Sequence, residues 1–232
     1  HLDAALALGK GAILCSGHFT TLELTAQFLK PLAPRFAFMF RERSNPLLDA
    51  VQTSGRRRTA ELSFSNADGR AMLRALRANA AVWYAPDQAY QGQGAALVPF
   101  FGEPAMTTTA TSRLARISGA PVLPCHFKRL AGDACYLVRF EPPVRGIPSD
   151  DALADTRAIA ATLERSIREC PEQYLWTHRR FRGRGPTLPD AYAVVKEHGA
   201  ARRRALLATS AIVAAVAAAF IVSAYGFLGA VS

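Results

Sequence analysis

The sequence predicts an α/β fold with a mainly parallel central sheet flanked by helices, followed by a C-terminal transmembrane helix. Short apolar segments of strand length recur along residues 1–187, and helical segments separate most of them. Helical crossovers of this kind connect parallel strands. The transmembrane helix is predicted because residues 205–231 contain no charged side chain and follow directly after three arginines, at positions 202–204.

Each element follows from the spacing of apolar residues and from the turn residues that bound it. The predicted strands are residues 11–16, 36–40, 62–64, 81–84, 122–127 and 136–140. The predicted helices are residues 20–29, 46–52, 68–79, 107–117 and 152–169. The last of these helices has the clearest pattern, because Leu153, Ile159, Leu163 and Ile167 recur at helical spacing.

Changes in composition divide the chain into three predicted parts. Residues 1–187 carry the alternating pattern, residues 188–204 form a basic linker, and residues 205–231 form the transmembrane helix. About 20 apolar residues cross a bilayer core, so the last segment is long enough to span it. Its many alanines leave an alanine-rich core helix as the alternative interpretation. The arginines before the span predict that the preceding domain lies in the cytoplasm.

The charge and the cysteines limit the classes of partner and cofactor. The chain has 28 lysines and arginines against 18 aspartates and glutamates, which gives a net charge of +10. This balance favours nucleic acid, acidic lipid headgroups, phosphorylated substrates or an acidic carrier protein. The four cysteines form no C-x-x-C pair and no zinc-type spacing, so reduced thiols and no metal site are expected. Because the chain begins with His1 and no signal peptide follows, we expect a fragment or a processed form.

The first candidate for chemistry is His18, which follows the first predicted strand directly after Gly17. Catalytic side chains of α/β enzymes lie at the carboxyl ends of strands. Glu23 can reach the histidine only if the chain turns at His18 before the helix begins. A carboxylate bonded to one ring nitrogen leaves the other nitrogen as a base. Two structural alternatives remain, because Thr20-x-x-Glu23 fits a helix capping box and His18 fits a buried, hydrogen-bonded histidine.

Other residues that follow strands are weaker candidates. Asp87 ends a strand after a proline, where a substrate contact and a turn-forming Pro-Asp both fit. Arg41 also follows a strand, either as a phosphate ligand or as a solvated surface charge. Residues 176–184 mix aromatic and cationic side chains, a pattern that in isolation is typical of a nucleic-acid strip. Cys15 is predicted to be core, because its side chain leaves the strand on the face opposite to His18.

Six segments, in the same order along residues 1–187, resemble one family. Gly-His-Phe-Thr-Thr-Leu-Glu-Leu (17–24) looks like the H-x4-D/E block of the glycerolipid acyltransferase superfamily. Together with five further segments it resembles the lauroyl-type late acyltransferases of lipid A biosynthesis. The further segments are Phe-Arg-Glu-Arg-Ser-Asn-Pro-Leu-Leu-Asp (40–49), Val-Trp-Tyr-Ala-Pro-Asp-Gln (82–88), Val-Pro-Phe-Phe-Gly (98–102), Thr-Thr-Thr (107–109) and Pro-Glu-Gln-Tyr-Leu-Trp-Thr-His-Arg-Arg-Phe (171–181). Six segments in register are specific, whereas a lone H-x4-E match is weak.

The resemblance implies a glycerolipid-acyltransferase-like fold and transfer of a fatty acyl chain from acyl-acyl carrier protein. The implied acceptor is a hydroxyl of a 3-hydroxyacyl chain on a Kdo-bearing lipid A precursor. His18 would be the general base, and Glu23 would orient its ring and stabilise the imidazolium. Direct attack on the thioester needs neither a covalent acyl-enzyme nor a cofactor. The substrate-binding residues implied by the matched segments are Arg41, Asn45, Asp87 and Arg116.

The partners implied are acyl carrier protein, the lipid A precursor and the membrane, without nucleic acid. The catalytic domain would face the cytoplasm at the bacterial inner membrane. Two features depart from the family. Its usual N-terminal membrane helix has little room in the seventeen residues before His18, and a strong C-terminal span is not part of the family pattern.

Two alternative functions remain open on the sequence. The first keeps the fold and the catalytic pair but changes the acceptor to another glycolipid, such as a phosphatidylinositol mannoside. The second is a non-catalytic, membrane-anchored module that binds anionic lipid or nucleic acid. The net charge allows such a module, but His18 and Glu23 would then have no role in it.

Overall fold

The computed structural model describes residues 1–33, 35–40, 62–65, 68–132 and 135–193, together with the single positions 47 and 199. The strands in these residues are β1 Ala12–Cys15, β2 Phe36–Phe40, β3 Leu62–Ser65, β4 Ala81–Tyr84, β5 Ala95–Phe100, β6 Glu103–Thr108, β7 Val122–Arg129 and β8 Tyr136–Phe140. The helices are α1 Leu2–Leu6, α2 Leu22–Leu29, α3 Gly69–Arg77, α4 Ala110–Ser118 and α5 Ala152–Glu169, followed by a 3-10 turn at Pro171–Gln173.

Six strands form the central sheet in the order β3-β2-β4-β1-β7-β8. Neighbouring strands are parallel except for β7 and β8, which are antiparallel. The strand β1 lies between β4 and β7, and all four of its residues are buried. A strand covered on both faces is apolar throughout, which explains why β1 shows no alternation of polar and apolar residues. The predicted mixed α/β fold with a mostly parallel sheet is confirmed.

Helices pack against both faces of this sheet. On one face Leu29 of α2 packs with Leu14, Phe36 and Trp83 in a buried cluster that also includes Leu2 of α1. The opposite face packs against three helices, α3, α4 and α5. The cluster there contains Ile13, Cys15, Val82, Met72, Leu76, Ala115, Ile159 and Leu163. The carboxyl edge of the sheet lies between these two layers, and the residues that follow the strands are placed there.

Gly11 sets how closely β1 approaches its neighbours. Its φ is +70°, a left-handed value that glycine adopts without a steric penalty. A Cβ at this position would lie 2.6 Å from the carbonyl oxygen of Ala80 and 2.7 Å from that of Leu76. Only glycine therefore lets the chain enter β1 directly beside the end of α3 and the start of β4.

Most predicted elements are present in the structure. The bounds of β2, β4, β8 and α5 are those predicted, and β1, β3, β7, α2 and α3 each overlap their predicted segments. Of the predicted helix at residues 46–52 the structure describes only position 47, which is helical. The predicted helix at residues 107–117 is wrong at its start, because β6 continues to Thr108 and α4 begins at Ala110.

The hairpin formed by β5 and β6 was not predicted. Pro99 and Pro104 face each other across it, and proline, which cannot donate to a ladder, hides the strand pattern. The two loop residues, Phe101 and Gly102, have φ values of +52° and +82°. Positive φ at both central residues matches the twist of a two-residue hairpin loop.

Contacts divide the chain into one compact unit, His1–Leu188, and a second one, Pro189–Ser232. Among the described residues, no helix is both long enough and apolar enough to span a bilayer. The predicted membrane helix at residues 205–231 and most of the predicted linker at residues 188–204 lie outside those residues, so both stay predictions.

Candidate active site

The carboxyl ends of β1 and β4 bring His18 and Asp87 together. The two strands are parallel neighbours, and Cys15 is paired with Tyr84 at their ends. His18 follows Cys15 by three residues, and Asp87 follows Tyr84 by three. Both side chains therefore leave the sheet at the same level of one edge, the position at which open α/β sheets bind ligands.

Asp87 holds His18 through two contacts. The Nδ1 atom of His18 lies 2.6 Å from Oδ1 of Asp87. The backbone N–H of His18 donates to Oδ2 of the same carboxylate at 2.7 Å. Asp87 is only 2% exposed, whereas the side chain of His18 keeps 22% of its surface exposed. The carboxylate thus supports the ring from the protein side and leaves the ring accessible.

The charges of the two groups reinforce each other. Burial by itself lowers the pKa of His18, but the hydrogen bond and the negative charge of Asp87 outweigh it and raise that pKa above its usual value. Burial raises the pKa of Asp87, but its bonds to His18 and Tyr174 and the charge of His18 outweigh it and lower that pKa. Asp87 is therefore ionised at neutral pH.

An ionised Asp87 fixes the tautomer of the neutral histidine. A carboxylate only accepts hydrogen bonds, so Nδ1 of His18 must carry the proton that lies between Nδ1 and Oδ1. The lone pair of the neutral ring is then on Nε2, and no described residue forms a hydrogen bond with that nitrogen. This arrangement is that of a general base held by a buried carboxylate.

Tyr174 lies 87 residues after Asp87 in the sequence and binds it directly. Its hydroxyl donates to Oδ2 of Asp87 at 2.9 Å, and Tyr174 is only 6% exposed. Burial and the nearby Asp87 carboxylate raise the pKa of Tyr174, so its hydroxyl stays protonated and remains a donor. The ring of Tyr174 packs edge to face on Phe19, with 5.6 Å between the ring centroids.

Backbone contacts fix the loop of His18 against the segment that carries Tyr174. The N–H of Thr20 donates to the carbonyl of Gln173 at 2.8 Å, and the N–H of Leu175 donates to the carbonyl of His18 at 2.9 Å. Gly17 makes room for this packing. A Cβ on Gly17 would lie 3.3 Å from Oδ2 of Asp87 and 3.4 Å from the ring of Tyr174.

Glu23, the predicted partner of His18, lies in the first turn of α2. The described residues do not include its side chain, so its catalytic role stays a prediction. The helix begins after Thr21 rather than Thr20, and Thr21 makes no capping bond with its side chain. The contact that was predicted between Glu23 and the ring is made at Nδ1 by Asp87.

The predicted substrate-binding residues fall into three groups. Asp87 lies in the site, bonded to His18. Arg41 and Asn45 lie outside the described residues. Arg116 lies in the last turn of α4, where its guanidinium binds the carboxylate of Asp150 at 3.1 Å and the carbonyl of Ser149. The described contacts of Arg116 are thus made with the loop before α5, and its role toward a substrate stays a prediction.

The basic segment at residues 176–184 divides between structural and exposed side chains. Arg180 is 5% exposed, donates to the carbonyl of Met106 at 2.7 Å and lies over the ring of Phe100. Arg184 binds Glu103 at 3.1 Å. His178 accepts the N–H of Ala89 at its Nε2, at 2.9 Å. These three side chains bind the β5–β6 hairpin and the loop after Asp87, so this part of the segment is not a continuous basic strip.

Cys15 lies in the core, as predicted. It is 1% exposed on the face that packs against α3, α4 and α5. Burial raises the pKa of its thiol far above the usual value. A thiol that stays protonated is not a nucleophile. Among the described residues, no three His, Cys, Asp or Glu side chains are placed to hold a metal ion.

Tyr174 and the direct bond between His18 and Asp87 were not predicted. For the pair, the usable signal is that both residues stand three positions after a buried strand. This signal needs the knowledge that β1 and β4 are neighbours. Tyr174 has no comparable local signal, because nothing near it in the sequence indicates a contact with residue 87.

Comparisons with known proteins agree with the resemblance of the matched segments. The profile of the bacterial lipid A biosynthesis acyltransferase family matches residues 1–183. The chain is 37% identical over 193 residues to the lipid A biosynthesis lauroyltransferase of Escherichia coli (strain K12), covering 83% of this chain and 63% of that one. It is 35% identical over 185 residues to the lipid A biosynthesis palmitoleoyltransferase of the same strain, covering 79% of this chain and 60% of that one.

A third relative is a lipid A biosynthesis acyltransferase of Haemophilus influenzae, 35% identical over 182 residues, which cover 78% of this chain and 57% of the relative. The chain therefore spans about three fifths of the length of the curated relatives it matches. The profile match covers more than half of the chain and includes His18, Asp87 and Tyr174. The chain belongs to the bacterial lipid A biosynthesis acyltransferase family.

Proposed function

We propose that this chain is an acyltransferase that moves a lauroyl-type fatty acyl chain from acyl-acyl carrier protein to a lipid A precursor. The acceptor is a hydroxyl of a 3-hydroxyacyl chain on the Kdo-bearing precursor. The observation that carries the proposal is the His18–Asp87 pair at the carboxyl edge of the sheet, in a chain of this family. The lauroyl preference rests on the relative named as a lauroyltransferase.

His18 is the general base of the proposed reaction. The acceptor hydroxyl binds at Nε2, which takes its proton as the oxygen attacks the carbonyl carbon of the thioester. The ring becomes an imidazolium, and the ionised Asp87 at 2.6 Å from Nδ1 stabilises that positive charge. The imidazolium then gives its proton to the leaving thiolate, so His18 returns to its starting state without a covalent acyl-enzyme.

The other predicted residues keep proposed roles on the substrate side. Because Asp87 occupies Nδ1, the carboxylate of Glu23 would act on the charge of the imidazolium or on the acceptor from a different direction. Arg41 and Asn45 would bind the phosphorylated acceptor, as would Arg116 if the acceptor displaced its contact with Asp150. No cofactor takes part in this chemistry.

The proposed partners are an acidic carrier protein and a membrane lipid. A net charge of +10 favours association with both. We propose that the catalytic domain works at the cytoplasmic side of the bacterial inner membrane, with residues 205–231 as its anchor.

Mass spectrometry of lipid A from a strain that lacks this gene tests the proposal. Loss of one secondary acyl chain, restored when the gene is returned, is the expected result. If lipid A is unchanged and another glycolipid loses an acyl chain, the acceptor is wrong and the acyltransferase chemistry stands. If all lipids are unchanged and the purified protein transfers no acyl group, the proposed function is wrong.

Replacing Tyr174 with phenylalanine should change the pH dependence of the reaction. The phenyl ring keeps the packing on Phe19, but Asp87 loses a hydrogen bond from the tyrosine hydroxyl. The negative charge of Asp87 then acts more strongly on His18, so the pKa of His18 rises. We expect kcat to fall by about 10–10²-fold, because Asp87, and through it the ring of His18, loses a hydrogen bond worth roughly 1.5–3 kcal/mol. The acid limb of the profile of kcat/KM against pH should move to higher pH.

A phenylalanine variant whose acid limb stays in place would show that the tyrosine hydroxyl does not act through Asp87. Tyr136→Phe serves as the matched control. Tyr136 is an exposed tyrosine of β8, and its ring packs on Phe28 on the side of the sheet that faces α2. Its replacement should leave the pH profile unchanged.

A further inference from the structure

Three buried polar atoms belong to residues near His18 in the sequence or in the sheet and form no hydrogen bond with the residues that the structure describes. They are the hydroxyl oxygens of Ser16 and Thr21 and the indole nitrogen of Trp83. Ser16 and Thr21 flank His18 in the sequence, and the ring of Trp83 meets the ring of His18 edge to face. Buried polar groups in proteins almost always have a partner, so such a cluster needs an explanation.

Ser16 and Trp83 lie on the same face of the sheet. Trp83 of β4 is the register partner of Leu14 in β1, and both belong to the apolar cluster on the face that packs against α1 and α2. Ser16 follows Leu14 by two residues, so an extended chain directs its side chain to that face as well. Ser16 is 2% exposed and Trp83 is 8% exposed. The two side chains thus lie on one face of neighbouring strands, and the ring of Trp83 contacts the ring of His18.

The chemistry of these groups specifies what they bind. The indole N–H is only a donor, and a serine hydroxyl can also donate. Shielding from water strengthens any hydrogen bond that they make, and the same shielding makes an unused donor costly. A ligand that satisfies both groups must present an acceptor oxygen to them.

We propose that the Nε1–H of Trp83 and the hydroxyl of Ser16 bind the carbonyl oxygen of the acyl thioester and stabilise the oxyanion that forms on it. This inference rests on the proposed acyl transfer and adds the electrophilic half of the site to the base described above. Thr21 is left out, because it precedes α2 and no strand register places its side chain beside Trp83.

The separation of the His18 and Trp83 rings is compatible with this role. A hydroxyl held by Nε2 lies roughly 2.8 Å from that nitrogen, and the carbon that it attacks lies about 3 Å further on. A donor sits about 2.9 Å from the oxyanion. Because these three steps are not collinear, the donors belong within roughly 5–7 Å of the imidazole ring. The ring centroids of His18 and Trp83 are 6.0 Å apart.

In the step itself, the acceptor oxygen forms a bond to the carbonyl carbon as His18 removes its proton. The π pair of the carbonyl moves onto its oxygen, where Trp83 and Ser16 donate to it. When this pair returns, the carbon–sulfur bond breaks and the thiolate leaves with the bonding electrons. The imidazolium of His18 then protonates the thiolate, so the products are an ester and a thiol.

Trp83→Phe and Ser16→Ala test the assignment by steady-state kinetics. Trp83→Phe removes the N–H and keeps an aromatic ring, and removal of one oxyanion donor lowers kcat by about 10²–10³-fold. We expect that loss for Trp83→Phe and a similar one for Ser16→Ala, with KM nearly unchanged, since the bonds strengthen only in the transition state. The matched control is Trp176→Phe, an exposed tryptophan whose N–H donates to the carbonyl of Pro171, and it should keep wild-type kcat.

Nuclear magnetic resonance gives a readout that does not depend on turnover. The chain has two tryptophans, so in the Trp176→Phe background the indole N–H signal belongs to Trp83 alone. An acyl-pantetheine ketone, in which a methylene replaces the thioester sulfur, should shift that signal downfield. A thioether analogue without the carbonyl oxygen should leave it in place.

Two outcomes overturn the assignment while the proposed function stands: wild-type transfer activity with an unchanged kcat in Trp83→Phe, or equal shifts of the indole signal with both analogues. If Trp83→Phe is more stable than the wild-type protein and has an unchanged kcat, the buried N–H only destabilises the fold and plays no part in the reaction. If the wild-type protein transfers no acyl group to any lipid acceptor, the proposed function itself fails.

Discussion

His18→Ala is expected to lower kcat for acyl transfer by about 10⁴-fold, because in the proposed reaction it removes both the base that takes the acceptor proton and the acid that protonates the leaving thiolate. His18 is the residue that the Asp87 carboxylate holds at 2.6 Å and whose Nε2 binds no described residue. The measurement is transfer of a labelled acyl chain from acyl carrier protein to the lipid A precursor, together with the melting temperature of the variant. The side chain is mostly buried, with 22% of its surface exposed, and its loss leaves the buried carboxylate of Asp87 without the ring as a partner. We therefore expect a lower melting temperature for a variant that still folds.

His1→Ala provides the control for this experiment. His1 is exposed at the start of α1 and makes no capping bond with its side chain. Its replacement should keep both activity and stability. A folded His18→Ala variant that retains wild-type turnover would rule out His18 as the base, whatever the effect of other substitutions.

Asp87→Asn is expected to lower kcat by about 10³–10⁴-fold, the effect seen when the carboxylate behind a catalytic histidine becomes an amide. The amide can donate to Nδ1 and thereby select the wrong tautomer, and it cannot stabilise the imidazolium. It also removes the charge that raises the pKa of His18. The histidine must be neutral to act as a base, so the acid limb of the remaining activity should move to lower pH. This shift is opposite to the one expected for Tyr174→Phe.

Asp155→Asn is the matched control for a buried carboxylate. Asp155 is 3% exposed and accepts hydrogen bonds from the hydroxyls of Ser112 and Ser149, and it has no described contact with His18 or Asp87. Its amide variant should lose stability but keep the pH profile of the wild-type protein. If Asp87→Asn behaves in the same way, Asp87 is a structural residue and the base is not tuned by it.

The sequence was sufficient to predict elements with a simple burial pattern, such as a fully apolar strand or a helix with one apolar face. The strands β1 and β4 are short apolar segments bounded by turn residues, and α5 has one apolar face along 18 residues. The hairpin was hidden because Pro99 and Pro104 contradict strand propensity, and they are tolerated only where the two-stranded sheet leaves an open edge.

For the site, the sequence predicted His18 as the base and Glu23 as its partner, whereas the contact that the structure shows at Nδ1 of His18 is made by Asp87. Glu23 is five residues away and Asp87 is 69 residues away, and proximity in the sequence favours the first. In the folded sheet, the register of β1 and β4 brings residues 18 and 87 together at the carboxyl edge. The order of the strands in a sheet depends on the packing of the whole domain, and local sequence patterns carry no information about that packing.

The dependence of the site on Tyr174 also determines when activity can first appear during synthesis. His18 and Asp87 leave the ribosome early, whereas Tyr174 follows Asp87 by 87 residues and brings with it the backbone partners of the His18 loop. Contacts with such large separations form late in folding, because a long loop must close first. We therefore expect the Tyr174 contact, and with it the activity proposed for His18, only when nearly the whole of residues 1–188 has been made.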